Sequence, residues 1–289
     1  LPAVALPALE EITAALPPDT VAAYVDLAPT LTVLCAGRGG WSAIVERPAV
    51  GTGDIPAATG SALPAGRLDA VGRLLGRELW APLLEVVPEG TAGVVLLPSA
   101  RLAGIPLDAA RLPEGGQVGE RIRVAYAPSL ALLRRDDHEP GPPHAVGQAV
   151  DITGGRPFSR RAAGRDAAPA TTFTGPEATV DAVLKLLRSC DVVHFAGPGR
   201  FDPDEPTRSH LRCAAGDGDD GRLTVARLLS GDGPIGASLV LLSACDSGAA
   251  SPGRWRGAAA GLPGTLLVAG ARQVIPAAWV ERTTRVVTP

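Results

Sequence analysis

Two apolar segments of the sequence run directly into short polar turns that contain glycine. Segment 191–196 is followed by Gly197-Pro198-Gly199-Arg200, and segment 239–244 is followed by Cys245-Asp246-Ser247-Gly248. A cysteine at the tip of a strand can be exposed near backbone N–H groups, where its thiolate could act as a nucleophile. A lone cysteine after an apolar strand is also common as a small buried residue, so the position alone leaves both interpretations open.

The elements around these turns predict a parallel sheet that would bring the turns together. Short apolar strands are expected at 93–97, 122–126, 191–196, 239–244 and 273–277, and helices at 178–187, 223–229 and 258–269. Strands that alternate with helices are typical of parallel βαβ units. If the strands at 191–196 and 239–244 are parallel neighbours, the two turns share one edge of the sheet. Ligands of such sheets bind beyond the carboxyl ends of the strands, so this edge is the expected site.

Two local features complete this prediction. The stretch 136–170 is rich in Pro, Gly and Arg, which indicates mostly loop. Thr174 is the expected N-cap for the helix at 178–187, because a threonine hydroxyl can accept a hydrogen bond from the first helical turn.

The N-terminal part has a different pattern. We expect a helix at 6–16, strands at 21–26, 31–35 and 41–46, and a helix at 68–84. The Gly-rich turn signal at 37–40 favours an antiparallel meander. The sequence therefore predicts an N-terminal β-rich subdomain over 1–90 and an α/β domain over 91–289.

Composition limits the class of protein. The chain has 289 residues, of which 46% are hydrophobic, and its net charge is −3. A chain of this length and hydrophobic content can bury a sizeable core. Its net charge shows no basic surplus that would favour binding to nucleic acid or an anionic membrane. The four cysteines include no C-x-x-C pair, so we expect no metal or other cofactor. The sequence has no apolar run long enough to span a bilayer and no signal-peptide pattern. Together with the cysteine usage, this favours a cytoplasmic protein. A single lysine, Lys185, among 27 basic residues suggests GC-rich bacterial coding.

The residues around Cys245 resemble the signature of a known family. Segment 243–248 reads S-A-C-D-S-G and resembles the S-A-C-[ED]-[TS]-G signature of the CHAT domain family, which is related to caspases and separase. Further family-like segments follow in the family's order: 97–98, 105–107, 126–129, 175–179, 192–196, 200–202, 206–211, 222–224 and 270–274, with Trp279 after them.

This resemblance implies a caspase-like, mostly parallel sheet flanked by helices, and a cysteine–histidine dyad that cleaves peptides. It assigns the nucleophile to Cys245 and the oxyanion hole to the backbone N–H groups of Cys245 and Gly199. The family's catalytic histidine directly precedes that glycine, and Pro198 stands there. Since proline can neither carry a proton nor pair with a thiolate, we expect a catalytically impaired domain that binds a protein or peptide, as a regulatory partner or a substrate.

Two alternatives remain open. An active cysteine endopeptidase would need another base, and His210 in the following loop is the candidate. His194 lies four residues before Pro198 inside a strand, about 13 Å from the turn at the usual rise per residue, so it is expected to be structural. The second alternative is a hydrolase with Ser243 or Ser247 as nucleophile, which is disfavoured because no G-x-S-x-G elbow is present.

The resemblance also bears on the C-terminus. Family members usually continue with further helices, whereas this sequence ends at Pro289, soon after Trp279. We therefore expect the CHAT domain over 91–289 to be truncated at its C-terminal end.

Overall fold

The structure, a computed structural model, contains two compact units that are described separately. It describes residues 8–27, 29–51, 65–99, 102, 105–129, 132, 145–150, 170–216, 218–231, 233–244, 247 and 261–276. The described residues of the first unit lie within Leu1–Glu139, and those of the second within Pro140–Ala250 and Ala259–Pro289.

The first unit is built on a five-stranded mixed sheet. Its described strands are β1 (Thr20–Leu27), β2 (Thr30–Ala36), β3 (Ser42–Pro48), β4 (Gly93–Pro98) and β5 (Arg123–Tyr126), and its helices are α1 (Leu9–Ala14), α2 (Ala65–Leu75), α3 (Ala81–Val86) and α4 (Val118–Arg121). The strand order is β3-β2-β1-β4-β5. The pairs β1–β2 and β2–β3 are antiparallel, which confirms the predicted meander, and β1–β4 and β4–β5 are parallel.

One face of this sheet carries the core of the first unit. Alternate residues of β1, such as Val21 and Val25, are buried with the helical residues Leu75, Leu79 and Leu83. The four-residue spacing of these leucines places them on one helix face, as the sequence predicts. The predicted helix at 68–84 is observed as α2, a π-helical turn at Gly76–Trp80 and α3. Strand β1, which lies before residue 90, pairs with β4, which lies after it. The division of the chain into two domains at residue 90 stays a prediction.

The second unit holds a five-stranded sheet whose described pairs are all parallel. Its strands are β6 (Val146–Val150), β7 (Ala170–Thr174), β8 (Val192–Ala196), β12 (Leu239–Ser243) and β13 (Gln273–Pro276), and its helices are α5 (Val180–Ser189), α6 (Val225–Ser230) and α7 (Leu262–Val268). The order is β13-β12-β8-β6-β7. The predicted α/β class, a mostly parallel sheet flanked by helices, is therefore confirmed.

A small antiparallel sheet follows β8 in the second unit. It contains β9 (Gly199–Arg200), β10 (His210–Arg212) and β11 (Arg222–Thr224) in the order β11-β10-β9. Leu211 and Leu223 are buried in the core of this unit together with Val193 and Val240. Its first strand along the chain, β9, follows directly after the turn at Gly197 and Pro198.

The stretch 136–170, predicted to be mostly loop, contains the strand β6, which was not predicted and pairs with β7 and β8. Apart from 145–150 and 170, this stretch lies outside the described residues. The predicted N-cap of α5 is wrong. The N-cap of α5 is Thr179, whose hydroxyl accepts a hydrogen bond from the Ala182 N–H at 3.3 Å, whereas Thr174 ends β7. The sequence interpretation placed the helix start too early, because a short 3₁₀ turn at Gly175–Glu177 lies between the strand and the helix.

Candidate active site

The two glycine-containing turns begin at the same edge of the parallel sheet. Strands β8 and β12 are neighbours in register, and Ala196 lies opposite Ser243 at their carboxyl ends. Beyond this pair, the Gly197 N–H donates to the Ser243 carbonyl at 3.3 Å. The turn that carries Pro198 therefore starts beside Ser243, the last residue of β12. Ser243 lies two residues before Cys245 in the sequence. Cys245 itself lies outside the described residues, so its assignment as nucleophile stays a prediction.

The chain on either side of Cys245 is tied to β12. Ala244 is buried, and Ser247 is fully buried. The Ser247 N–H donates to the Ala244 carbonyl at 3.3 Å, and the Ser247 hydroxyl donates to the Leu242 carbonyl at 3.5 Å. A serine with no exposed surface cannot receive a substrate without a rearrangement, which weakens the hypothesis of a Ser247 nucleophile.

Gly199 directs its backbone N–H away from the small sheet. The Arg212 N–H donates to the Pro198 carbonyl at 2.8 Å, and these two residues lie opposite each other when the β9–β10 register is extended by one pair. Directly bonded pairs alternate along an antiparallel ladder, so the next pair, Gly199 and Leu211, is not bonded across the ladder. The Gly199 N–H therefore points to the open side of β9, and its role in an oxyanion hole stays a prediction.

His194 is hydrogen-bonded to the first residue of the cysteine motif. Its Nε2 lies 2.9 Å from the hydroxyl oxygen of Ser243 on the neighbouring strand. Burial lowers the pKa of His194, so the ring is neutral at neutral pH. The sequence interpretation missed this contact. The signal was the register, because His194 lies opposite Leu241 and Ser243 is two residues further along the same face of β12.

His210 lies on β10, the strand that pairs with β9 after Pro198. It is half-buried and sits opposite Arg200 in the register. Its Nδ1 lies 2.9 Å from the Arg208 carbonyl oxygen. Because a carbonyl oxygen only accepts, Nδ1 must carry the proton, which leaves Nε2 as the basic nitrogen of the neutral ring.

The three other cysteines are buried thiols. Burial raises the pKa of Cys35 to about 11 and that of Cys213 to about 12, and Cys190 is also buried and free. The thiols of Cys35 and Cys213 are therefore protonated at neutral pH and unreactive. In the part of the chain that the structure describes, no three His, Cys, Asp or Glu side chains are grouped so that they could hold a metal ion.

The family comparison agrees with the motif at this edge. A model of the CHAT domain matches residues 69–280. The chain belongs to the CHAT domain family. No curated protein matches the sequence.

Family membership bears on the fold and on the residues of the predicted site. A CHAT domain implies a caspase-like fold, and the match at 69–280 includes Pro198, Gly199 and Cys245. Among the helices that the structure describes, none is long and apolar enough to cross a bilayer.

Proposed function

We propose that this CHAT domain is catalytically impaired and acts as a protein-binding or regulatory module. The observation that carries the proposal is Pro198, which stands between β8 and β9 in the position where the family has its catalytic histidine. Peptide cleavage needs a group that takes the thiol proton, so that sulfur can attack the carbonyl carbon. The same group must then give a proton to the amine as the C–N bond breaks. The proline ring can do neither.

The backbone part of the site is retained in this proposal. Gly199 offers its N–H on the open side of β9, and the N–H of Cys245 would be the second donor. Two such donors can hold a peptide carbonyl without cleaving the bond. The proposed ligand is therefore an extended peptide or a loop of a partner protein that binds at the edge formed by β8 and β12. A bacterial cytoplasmic setting is part of the proposal, and it is supported by composition and cysteine usage alone.

The test compares Pro198→His with the unmodified chain on a peptide library. We expect no Cys245-dependent cleavage by the unmodified chain and measurable cleavage by Pro198→His, since general acid–base help is worth roughly 10²–10⁴-fold. Pro198→Ala is the matched control, because it removes the proline without adding an imidazole. Cys245→Ala in the Pro198→His background should abolish the gain. Robust Cys245-dependent cleavage by the unmodified chain would overturn the impaired assignment.

An active cysteine endopeptidase is the alternative, with His210 on β10 as the candidate base. The ring is held through Nδ1 by the Arg208 carbonyl, which leaves Nε2 free to act as a base. If the unmodified chain cleaves peptides, His210→Ala should abolish cleavage while His210→Gln tests whether a hydrogen-bonding side chain alone suffices. Activity that survives both changes would exclude this histidine.

The pairing of Ser243 with His194 supports a second alternative, a serine hydrolase. Their separation of 2.9 Å is within the range of a nucleophile and its base. Labelling with a fluorophosphonate separates this alternative from the cysteine chemistry. A label on Ser243 that is lost in His194→Ala would support a serine nucleophile, and its absence would leave the hydrogen bond a structural one.

A further inference from the structure

Strand β3 forms one edge of the sheet in the first unit. Within the described part of the chain it pairs with β2 alone, in seven consecutive antiparallel pairs from Thr30–Pro48 to Ala36–Ser42. The register contains no bulge. Exposed edges of regular strands are usually blunted by bulges, prolines or charges, because their free N–H and C=O groups can pair with another chain. In β3, the proline and both charges lie in the last three residues, 46–48.

Two hydrogen bonds at the ends of the β2–β3 ladder fix which residues of β3 bond to β2. The Gly37 N–H donates to the Trp41 carbonyl at 2.9 Å, and the Ala49 N–H donates to the Pro29 carbonyl at 3.0 Å. Both bonds join residues that lie opposite each other when the register is extended. Since bonded pairs alternate along the ladder, the odd-numbered residues from 41 to 49 are the ones that face β2.

The even-numbered residues of β3 therefore turn their backbone groups to the open side. Ser42, Ile44 and Glu46 each present an N–H and a C=O there, whereas Pro48 presents only a C=O. In the described residues, no hydrogen bond outside the β2–β3 ladder involves the backbone of Ser42, Ile44 or Glu46. The edge thus offers a regular set of donors and acceptors over five residues.

An exposed apolar row runs across the sheet to this edge. Ile44, Leu34 and Tyr24 are consecutive partners in the register, and their exposed fractions are 72%, 45% and 39%. Isolated exposed apolar side chains are ordinary, but these three form one continuous row that ends at an open strand edge.

We propose that β3 pairs with β3 of a second copy of this chain, antiparallel, about a two-fold axis at Ile44. Outward-facing residues must meet outward-facing residues, so even positions pair with even positions. With the axis at Ile44, this residue faces its own copy, and Ser42 faces Glu46, whose carboxylate can accept from the serine hydroxyl. The two apolar rows then join at the Ile44 pair, which is a favourable cross-strand contact.

The other registers are each worse for a stated reason. An axis at Val45 places Ser42 opposite Pro48, which has no N–H to give. An axis at Glu46 places two carboxylates opposite each other, which is destabilising. An axis at Ala43 requires Gly40 in the ladder, and Gly40 has a φ of +76°, outside the extended region.

Disulfide trapping tests the register directly. Cα atoms of a bonded antiparallel pair are about 5.5 Å apart, within the span of a disulfide. Ile44→Cys should therefore form a cross-linked dimer under mild oxidation. Ser42→Cys is the matched control, because its two copies would be offset by four residues, or about 13 Å, and should not link. The double variant Ser42→Cys with Glu46→Cys should link again. The unmodified chain reports any background from its own cysteines.

Sedimentation velocity tests the association without cross-linking. The unmodified chain should show a concentration-dependent monomer–dimer equilibrium. Ile44→Lys should shift it to monomer, because two like charges would face each other across the axis. Val50→Lys is the control, since Val50 is 68% exposed and lies outside β3.

Three results would overturn the proposal. The first is an unmodified chain that stays monomeric at every concentration. The second is a dimer that Ile44→Lys leaves intact, and the third is a cross-linking rate of Ile44→Cys equal to that of Ser42→Cys. Peptide cleavage by the domain has no part in these readouts, so they stand apart from the proposed function.

Discussion

Position 198 and the residue after it serve two different functions in a cysteine peptidase of this family. The side chain there would move protons, and the backbone after it would hold the substrate oxygen. In the proposed function the first is missing at Pro198, while the Gly199 N–H points to the open side of β9. A site of this kind can bind a carbonyl group and release it unchanged.

The residue-level chemistry was only partly predictable from the sequence. The S-A-C-D-S-G motif and the following family-like segments were sufficient to single out Pro198, Gly199 and Cys245. The contact between His194 and Ser243 was not predicted, because it depends on the register of two strands that are distant in the chain. The position of Cys245 stays a prediction.

Two glycines in the helical segment of the first unit give a prediction at the scale of single atoms. A Cβ at Gly76 would lie 1.6 Å from the Arg111 carbonyl oxygen, whereas one at Gly72 would have the Ala109 carbonyl oxygen at 3.8 Å as its nearest atom. Gly76→Ala should lower the free energy of unfolding by about 3 kcal/mol or more, because backbone must move. Gly72→Ala should raise it by up to about 1 kcal/mol, because alanine favours the helix.

Urea unfolding followed by tryptophan fluorescence measures both variants under the same conditions. Similar midpoints for Gly76→Ala and Gly72→Ala would show that the close approach of the Arg111 carbonyl to this helix is not real.

At the scale of elements, periodicity found most strands and helices but not β6. Its segment begins Val146-Gly147-Gln148, where a glycine and a polar residue break the apolar run. The structure gives the reason for the glycine. A Cβ at Gly147 would lie 2.7 Å from Leu186 Cδ2 and 3.0 Å from the Cys190 sulfur, so close packing of α5 against β6 needs a residue without a side chain. Tertiary packing of this kind leaves a signal that looks like a loop.

The N-cap of α5 provides the prediction at this scale. Thr179→Ala should lower the free energy of unfolding by about 1 kcal/mol, because the Ala182 N–H loses its acceptor. Thr174→Ala is the matched control, since Thr174 is exposed at the end of β7, and its effect should stay within about 0.5 kcal/mol. Thermal unfolding of the two variants decides between the caps, and a larger loss for Thr174→Ala would contradict the assignment to Thr179.

At the scale of the whole molecule, the family match and the compact units cover different parts of the chain. The match begins at residue 69 and ends at residue 280, so it draws on both units and leaves out β1, β2 and β3. The resemblance could therefore predict the parallel sheet and its site, but not an activity of the N-terminal meander. The proposed pairing of β3 comes from hydrogen-bond geometry, which sequence patterns do not contain.

The pH dependence of Cys245 alkylation by iodoacetamide tests the central claim most directly. Thiolate is the reactive form, so the rate reports whether an imidazole stabilises it. Mass spectrometry of the Cys245 peptide gives this rate, with the buried Cys35 and Cys213 as unreactive references. The unmodified chain should titrate near the ordinary thiol pKa of about 8.5, and Pro198→His should titrate lower. A thiolate already formed below about pH 7 in the unmodified chain would mean that another base serves Cys245, and the impaired assignment would be wrong.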